Sequence, residues 1–283
     1  MLNFNEQYGV VVVGIGRAGQ ARAAHLSHAK GCKLAGLVSR RPEFGTLELA
    51  EALRRTDVHI LVIATENGSH AHLAAMALRA NKHVIVEFPL CNSAAQALEL
   101  YDLAQQHRRV LHVEHIGLLT RAHADLIHLH QTRPFERIVM QFQSDLSRWQ
   151  AEEHAAGRWG QLAIGRLHAA RDLAGPLIIQ NVAIIKTPDS YQMTIELRSD
   201  TMEVVIHETR APGLARAASA SGRHVDGSEM HVTTAKTPET GLFSRDWEAF
   251  YARVDSNVAS YLSDQSVIQV LELAEEISDR LCA

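Results

Sequence analysis

The hexapeptide GIGRAG at 14–19 spaces three glycines as G-x-G-x-x-G. It follows the β-branched run YGVVVV and opens the Ala-rich stretch RAGQARAAHL. In that setting the spacing suits a dinucleotide pyrophosphate. Gly14 allows a tight turn, Gly16 lets the backbone approach the phosphates, and Gly19 lets helix and strand pack closely. Arg17 and Ala18 fall in the first helical turn, where free N–H groups and a partial positive charge attract an anion. Chains that prefer NAD carry an acid about 20 residues further on for the ribose hydroxyls. Here Ser39, Arg40 and Arg41 stand in that place. A carboxylate would repel a 2′-phosphate, whereas a guanidinium pairs with it and a serine adds a donor. The expected cofactor is NADPH, with NADH weaker.

Ligands of an open α/β sheet lie beyond the carboxyl ends of its strands. Thr65, Glu66 and His70 in ATENGSH are therefore expected to line the cofactor, and Glu87-Phe88-Pro89 to approach its nicotinamide. His112 and His115 stand three apart at a strand end, which turns them to opposite faces. With no third ligand placed by spacing, no metal is expected.

These residues need a scaffold that the rest of the sequence supplies. Strand candidates at 8–16, 33–39, 58–65, 82–88 and 109–115 alternate with helix formers at 17–29, 46–55, 69–81 and 93–107. Repeated strand–helix–strand units imply a doubly wound parallel sheet, a Rossmann domain expected over 1–119. The pattern then changes. A helix at 117–131, a strand at 135–144 and a helix at 160–175 precede three consecutive strand patterns at 177–187, 190–199 and 201–210. The expected second domain, 120–283, is thus α+β with a mainly antiparallel sheet. Its small, polar stretch 214–228 reads as a loop. Two helices (246–262 and 266–282) end the chain, the last expected to pack back on the Rossmann domain.

With these motifs in place, the chain resembles the family of glucose–fructose oxidoreductases and inositol dehydrogenases. Its sugar-oxidising members usually carry Glu-Lys-Pro where this chain has Glu87-Phe88-Pro89. Phe88 cannot move a proton, so sugar oxidation by that route is not expected. Within the family VVVVGIGRAG, GLVSRR, KHVIVEFPL, VLHVEHIGLL and the terminal LAEEI are similar to segments of the biliverdin reductases, in the same order. The resemblance implies hydride transfer from NADPH to the central methine carbon of a linear tetrapyrrole. Those enzymes usually have tyrosine at Phe88, and mammalian members have acids at Val113 and Gly117. Glu114 is retained.

The resemblance also sets Arg166, in IGRLHAAR, against the substrate, where it would hold a propionate or help supply the proton. Arg171, about 140° further round that helix, is the second candidate. Glu87, Phe88, Glu114 and Arg166 are the expected catalytic set; Phe88, His115, Arg166 and Arg171 are expected to touch substrate. Two alternatives stay open: an NADPH-dependent imine or other double-bond reductase of the same family, and a regulatory protein that binds NADPH without turnover.

The bulk numbers agree with a soluble small-molecule enzyme. In 283 residues there are 28 basic and 32 acidic side chains. The formal net charge of −4 exerts no general pull on nucleic acid or acidic membrane. Cys32, Cys91 and Cys282 are too scattered for a disulfide framework or zinc motif. No apolar run approaches the roughly 18–20 residues that span a bilayer. A cytoplasmic monomer or weak homo-oligomer is expected.

Overall fold

The structure is a computed structural model and describes residues 7–146, 148–233 and 239–282. In chain order the elements begin with β1 (Tyr8–Val13), α1 (Arg17–Leu26), β2 (Cys32–Val38), α2 (Leu49–Arg54) and β3 (Ile60–Ile63). They continue with α3 (Asn67–Arg79), β4 (His83–Glu87), α4 (Ala94–Gln106), β5 (Leu111–Glu114), α5 (Arg121–Thr132) and β6 (Phe135–Ser144). Next come α6 (Arg148–Ala155), α7 (Trp159–Ala174), β7 (Ile178–Lys186), β8 (Tyr191–Arg198) and β9 (Glu203–Arg210). β10 (Ala217–His224), β11 (Glu229–Thr233), α8 (Leu242–Ser256) and α9 (Asp264–Cys282) complete the chain. Backbone contacts divide it into two units. One runs to Ile116 and takes in Gly241–Ile268; the other is Gly117–Thr240 with Gln269 onward.

In the first unit five strands form one parallel sheet in the order β2-β1-β3-β4-β5. The order reverses between β1 and β3, which opens a crevice at their carboxyl ends. Val10–Val12 and Ile60–Ile63 are fully buried, as expected of strands covered on both faces. α8 belongs to this unit, although the sequence pattern grouped it with the second domain. Its Trp247, Phe250 and Tyr251 pack with Val10, Val12, Ile60 and Ile85, so this late helix closes one face of the sheet.

The second unit holds a six-stranded sheet in the order β11-β10-β6-β9-β8-β7. Every neighbouring pair is antiparallel except β6 with β9. The fold class expected from the sequence, a parallel Rossmann sheet followed by a mainly antiparallel α+β unit, is the one observed. Alternation along β8 turns Tyr191, Met193, Ile195 and Leu197 inward.

The expected loop at 214–228 is a correction. Most of it is β10, hydrogen-bonded to β6 on one side and β11 on the other. Its AASASGRH sequence has no β-branched or aromatic residue, so local propensity is silent. Pairing on both edges supplies the stabilisation instead. Gly222 suits the site because a Cβ there would come 3.0 Å from the Phe135 ring.

Candidate active site

The glycine-rich turn joins β1 to α1 as its spacing requires. Gly14 has φ +93°, and a Cβ on it would lie 2.5 Å from the Ala64 carbonyl oxygen. A Cβ on Gly19 would overlap the Gly14 carbonyl. Gly16 differs, because a Cβ there would meet nothing within 4 Å. It is the N-cap of α1 and gives the first turn no side-chain hydrogen bond. That turn contains no acid. Arg17 and Gly16 are exposed and Ala18 is half-buried. The arrangement, a bare helix N-terminus beside backbone without side chains, fits a pyrophosphate.

The second cofactor element assembles beside it. Ser39 follows the last residue of β2, and its Oγ accepts the Arg41 backbone N–H at 3.0 Å. Arg41 donates from Nη2 to the Ile15 carbonyl at 2.7 Å and lies over the Phe44 ring. Arg40 is 86% exposed and pairs with Glu66 at 3.0 Å. Glu66 is the N-cap of α3, and Thr65 Oγ1 lies 2.7 Å from Ser69 Oγ in that helix's first turn. Residues from β1, β2 and β3 thus converge at the reversal of strand order, with two guanidiniums available to a phosphate.

His70 plays a different part from the one expected. It is buried, with Nδ1 2.7 Å from the Pro89 carbonyl and Nε2 3.2 Å from the Thr65 carbonyl. Each ring nitrogen faces a backbone carbonyl, and a neutral ring donates to one of the two, so His70 ties the end of β3 to the turn after β4 and turns neither nitrogen to a ligand. Burial holds it below its usual pKa despite the two carbonyls.

At the ends of β4 and β5, Glu87 and Glu114 occupy the same register position. Glu87 accepts from Arg22 Nε at 2.7 Å. Phe88 is half-buried and stacks on His115, with centroids 4.8 Å apart and planes within 11°. His112 points the other way, as the odd spacing predicts, and its Nε2 lies 2.9 Å from Asp246 Oδ1 on α8. Asp246 also faces Arg22 Nη1 at 2.7 Å and accepts from the Tyr261 hydroxyl at 2.7 Å. Burial opposes its charge, but Arg22 and then His112 hold the Asp246 carboxyl well below the ordinary range. The sequence reading did not single out Arg22, Asp246 or Tyr261.

In the second unit Arg166 projects from α7 over Phe142 of β6, 4.0 Å from the ring centroid. Arg210 and Arg216 stand 4.7 and 5.5 Å from the same ring. Arg210 pairs with the buried Glu208 at 2.8 Å. Arg166 forms no hydrogen bond or ion pair among the described residues. Burial first, then Arg210 and Arg216, lower its pKa against the pull of Glu208. Three guanidiniums round one ring make a cationic patch suited to carboxylates, and two of the three were missed in sequence because they lie on and beyond β9. Arg171 is committed elsewhere, donating from Nε to Gln269 Oε1 at 3.0 Å on α9. His168, on the same helix, is buried, which lowers its pKa to about 3.

No helix among the described residues is long and apolar enough to cross a membrane. No group of three or more potential metal-ligating acids, histidines or cysteines occurs among them.

Comparison with known proteins places this geometry. Residues 8–115 match the model of an oxidoreductase family with an NAD-binding Rossmann fold. The chain is 33% identical to biliverdin reductase A of Mus musculus, over 98% of this chain and 96% of that protein. It is 30% identical to biliverdin reductase A of Homo sapiens, over 98% and 97%. Among solved structures, a Synechocystis sp. PCC 6803 biliverdin reductase, in complex with biliverdin and NADP+, superposes with a TM-score of 0.77. The alignment has 22% identity and covers 97% of this chain and 99% of that one, a likeness of fold. With a full-length relative at that identity, and with the glycine turn, the two-sheet architecture and the strand-end acids in register, the chain belongs to the biliverdin reductase branch of this NAD-binding Rossmann oxidoreductase family.

Proposed function

We propose that this chain is an NADPH-dependent biliverdin reductase. The observation that carries the reading is the joining of the GIGRAG turn to Ser39, Arg40 and Arg41 at the β1/β3 crevice, in a chain related along its whole length to biliverdin reductases. The bound cofactor supplies the hydride to the central methine carbon of the bilin. Gly14, Gly16, Gly19 and the first turn of α1 hold its pyrophosphate, with Arg17 adding charge at the rim. Arg40 and Arg41, with Ser39, take the 2′-phosphate; NADH lacks that group and binds more weakly. Thr65 and Glu66 line the adjoining edge, Glu66 keeping Arg40 in reach, and His70 fixes the wall behind them.

The substrate is flat, largely apolar, and carries two propionates. The Phe88–His115 stack offers it an aromatic surface. Arg166 offers a cation to its carboxylates beside the Phe142 ring, with Arg216 near the same ring and Arg210 held by Glu208. Phe88 supplies no proton, so the proton that joins the pyrrole nitrogen comes from another group. The substrate is a small molecule, and the reading requires neither nucleic acid nor membrane.

The test mixes purified protein with biliverdin IXα and NADPH and follows loss of the green pigment and appearance of yellow bilirubin, with NADH in parallel. Turnover with NADPH is expected. Replacing Arg40 and Arg41 by Ala should raise the NADPH KM about 10- to 100-fold and leave that for NADH nearly unchanged, in line with about 1.5–3 kcal/mol for charged hydrogen bonds. No turnover with NADPH still bound would overturn the substrate and leave the dinucleotide site; imines would then be the next substrates.

A further inference from the structure

Glu114, at the end of β5, is a buried carboxyl group of the first unit. It is 1% exposed. One oxygen accepts the Ile116 backbone N–H at 2.8 Å. The other is buried with no hydrogen-bond donor. The group nearest to it in register is a second carboxyl, Glu87, on the neighbouring strand. Two carboxylates are both acceptors only; they hydrogen-bond to each other when one of them carries a proton.

Charge counting decides which one. The buried cluster contains three carboxyls, Glu87, Glu114 and Asp246, and one guanidinium, Arg22. Arg22 is shared between Glu87 and Asp246, at 2.7 Å each. Asp246 takes two further donors, His112 and Tyr261. Both carboxyls therefore have a cation against them. Glu114 forms no ion pair among the described residues, and the pull of Arg22 on it is outweighed by its burial. Ionised, it would stand beside Glu87 with one oxygen unsolvated, an arrangement that costs several kcal/mol. His115, stacked on Phe88, and His70, beside Glu87, are the other titratable groups on this side of the sheet.

We propose that Glu114 is kept as a carboxylic acid hydrogen-bonded to Glu87, and that this pair stores the proton consumed in the reduction. The proposal rests on the reductase reading. Glu87, 16% exposed, is the member open to the surface, and Glu114, its register partner on the neighbouring strand, is buried. In the step, hydride forms a C–H bond at the methine carbon and the pair gives up its one proton to the pyrrole nitrogen. An O–H bond breaks and an N–H bond forms. The pair is left as two carboxylates, with Arg22 against Glu87, and regains its proton from water. Arg22 acts as a positioning residue: paired with Glu87 at 2.7 Å, it holds that carboxyl in place beside Glu114, and Asp246 in turn holds Arg22. Burial first, and the negative charge of Glu87 next, hold the Glu114 carboxyl well above the ordinary range, which keeps it protonated near neutrality.

Infrared spectroscopy of the protein without cofactor tests the protonation directly. The wild type is expected to show a protonated-carboxyl C=O band at pH 7 that is absent from Glu114→Gln and shifted but kept in Glu87→Gln, where an amide oxygen replaces the carboxylate as acceptor. Either variant suffices if the other does not fold, as judged by circular dichroism. Single-turnover reduction of biliverdin with NADPH then tests the use of the proton. Glu114→Gln is expected to slow it about 100-fold, within the range for general acids. The same variant should flatten the alkaline limb of its pH profile while NADPH affinity stays unchanged. Absence of the band overturns the shared proton. A band with unchanged rate and pH profile in Glu114→Gln overturns the proton store. A wild type that shows the band but does not reduce biliverdin overturns the reductase reading, and with it the use of the proton, but not the protonated pair.

Discussion

Arg40 and Arg166 show how neighbours divide work among identical side chains. Arg40 is almost fully exposed, and a surface pair such as Arg40–Glu66 contributes only about 0–1 kcal/mol. Its value lies in availability to a ligand. Arg166 is half-buried against Phe142, with two other guanidiniums near it and no ion pair among the described residues. An anion arriving there relieves repulsion as well as forming new bonds. Arg166→Ala is therefore expected to raise the KM for biliverdin about 10- to 100-fold, the equivalent of about 1.5–3 kcal/mol. It should change the KM for the dimethyl ester, whose carboxyls are neutral, by less than threefold. Steady-state kinetics on the two substrates checks this; equal losses on both would assign Arg166 to packing instead. Arg171 has the same chemistry and helix, yet Gln269 occupies it.

At the scale of elements, the two units rely on close approaches of different kinds. In the first, Gly14 and Gly19 bring α1 down on β1 so that its N-terminus meets the crevice. In the second, α7 carries Arg166 and is held against α9 through Gly160. A Cβ on Gly160 would come within 2.5 Å of the Ala274 carbonyl carbon and overlap its oxygen. Gly160 also donates its backbone N–H to Ser278 Oγ at 3.0 Å. Gly160→Ala must push the helices apart, and overpacking of this kind costs about 1–3 kcal/mol. Urea unfolding should show that loss, and Arg166-dependent substrate affinity should weaken with it. β10 makes the opposite case: a strand with little side-chain content, held by backbone ladders on both edges.

Across the whole molecule, neutral histidines couple stability to pH. His83 accepts the Val110 N–H at 3.0 Å through Nδ1, and His130 accepts the Phe135 N–H at 3.1 Å in the same way. Neither acceptor survives protonation. Burial lowers the His83 pKa to about 4 and the His168 pKa to about 3. Unfolded, both return to about 6.5. As pH falls below about 6.5 the unfolded chain takes up protons that the folded chain refuses, so stability falls with pH. The expected slope approaches about 1.4 kcal/mol per pH unit for each histidine, and each contribution levels off below its folded pKa. Urea midpoints from pH 7 to 4.5 should show the decline, and His168→Leu should reduce its slope by one proton's share. A slope unchanged in that variant would show that His168 is not kept neutral.

The sequence by itself determined the parallel half, the dinucleotide turn and the place of the basic run Ser39-Arg40-Arg41 after the second strand. These depend on backbone conformation and on residues a short, countable distance along the chain, so spacing alone carries them. It also marked Glu87, Phe88, Glu114 and His115, because strand ends in such a sheet point at one crevice. Only tertiary structure decided the rest. Asp246 reaches Arg22 and His112 because α8 returns to the first sheet, and no local pattern encodes that return. Arg210 and Arg216 join Arg166 because β9 and β10 flank β6, whose Phe142 stacks all three. His70, placed by spacing at the cofactor, was taken by two backbone carbonyls whose positions depend on how β3 and the turn after β4 meet. Periodicity reports the face a side chain takes; the charge it carries depends on what the fold sets opposite it.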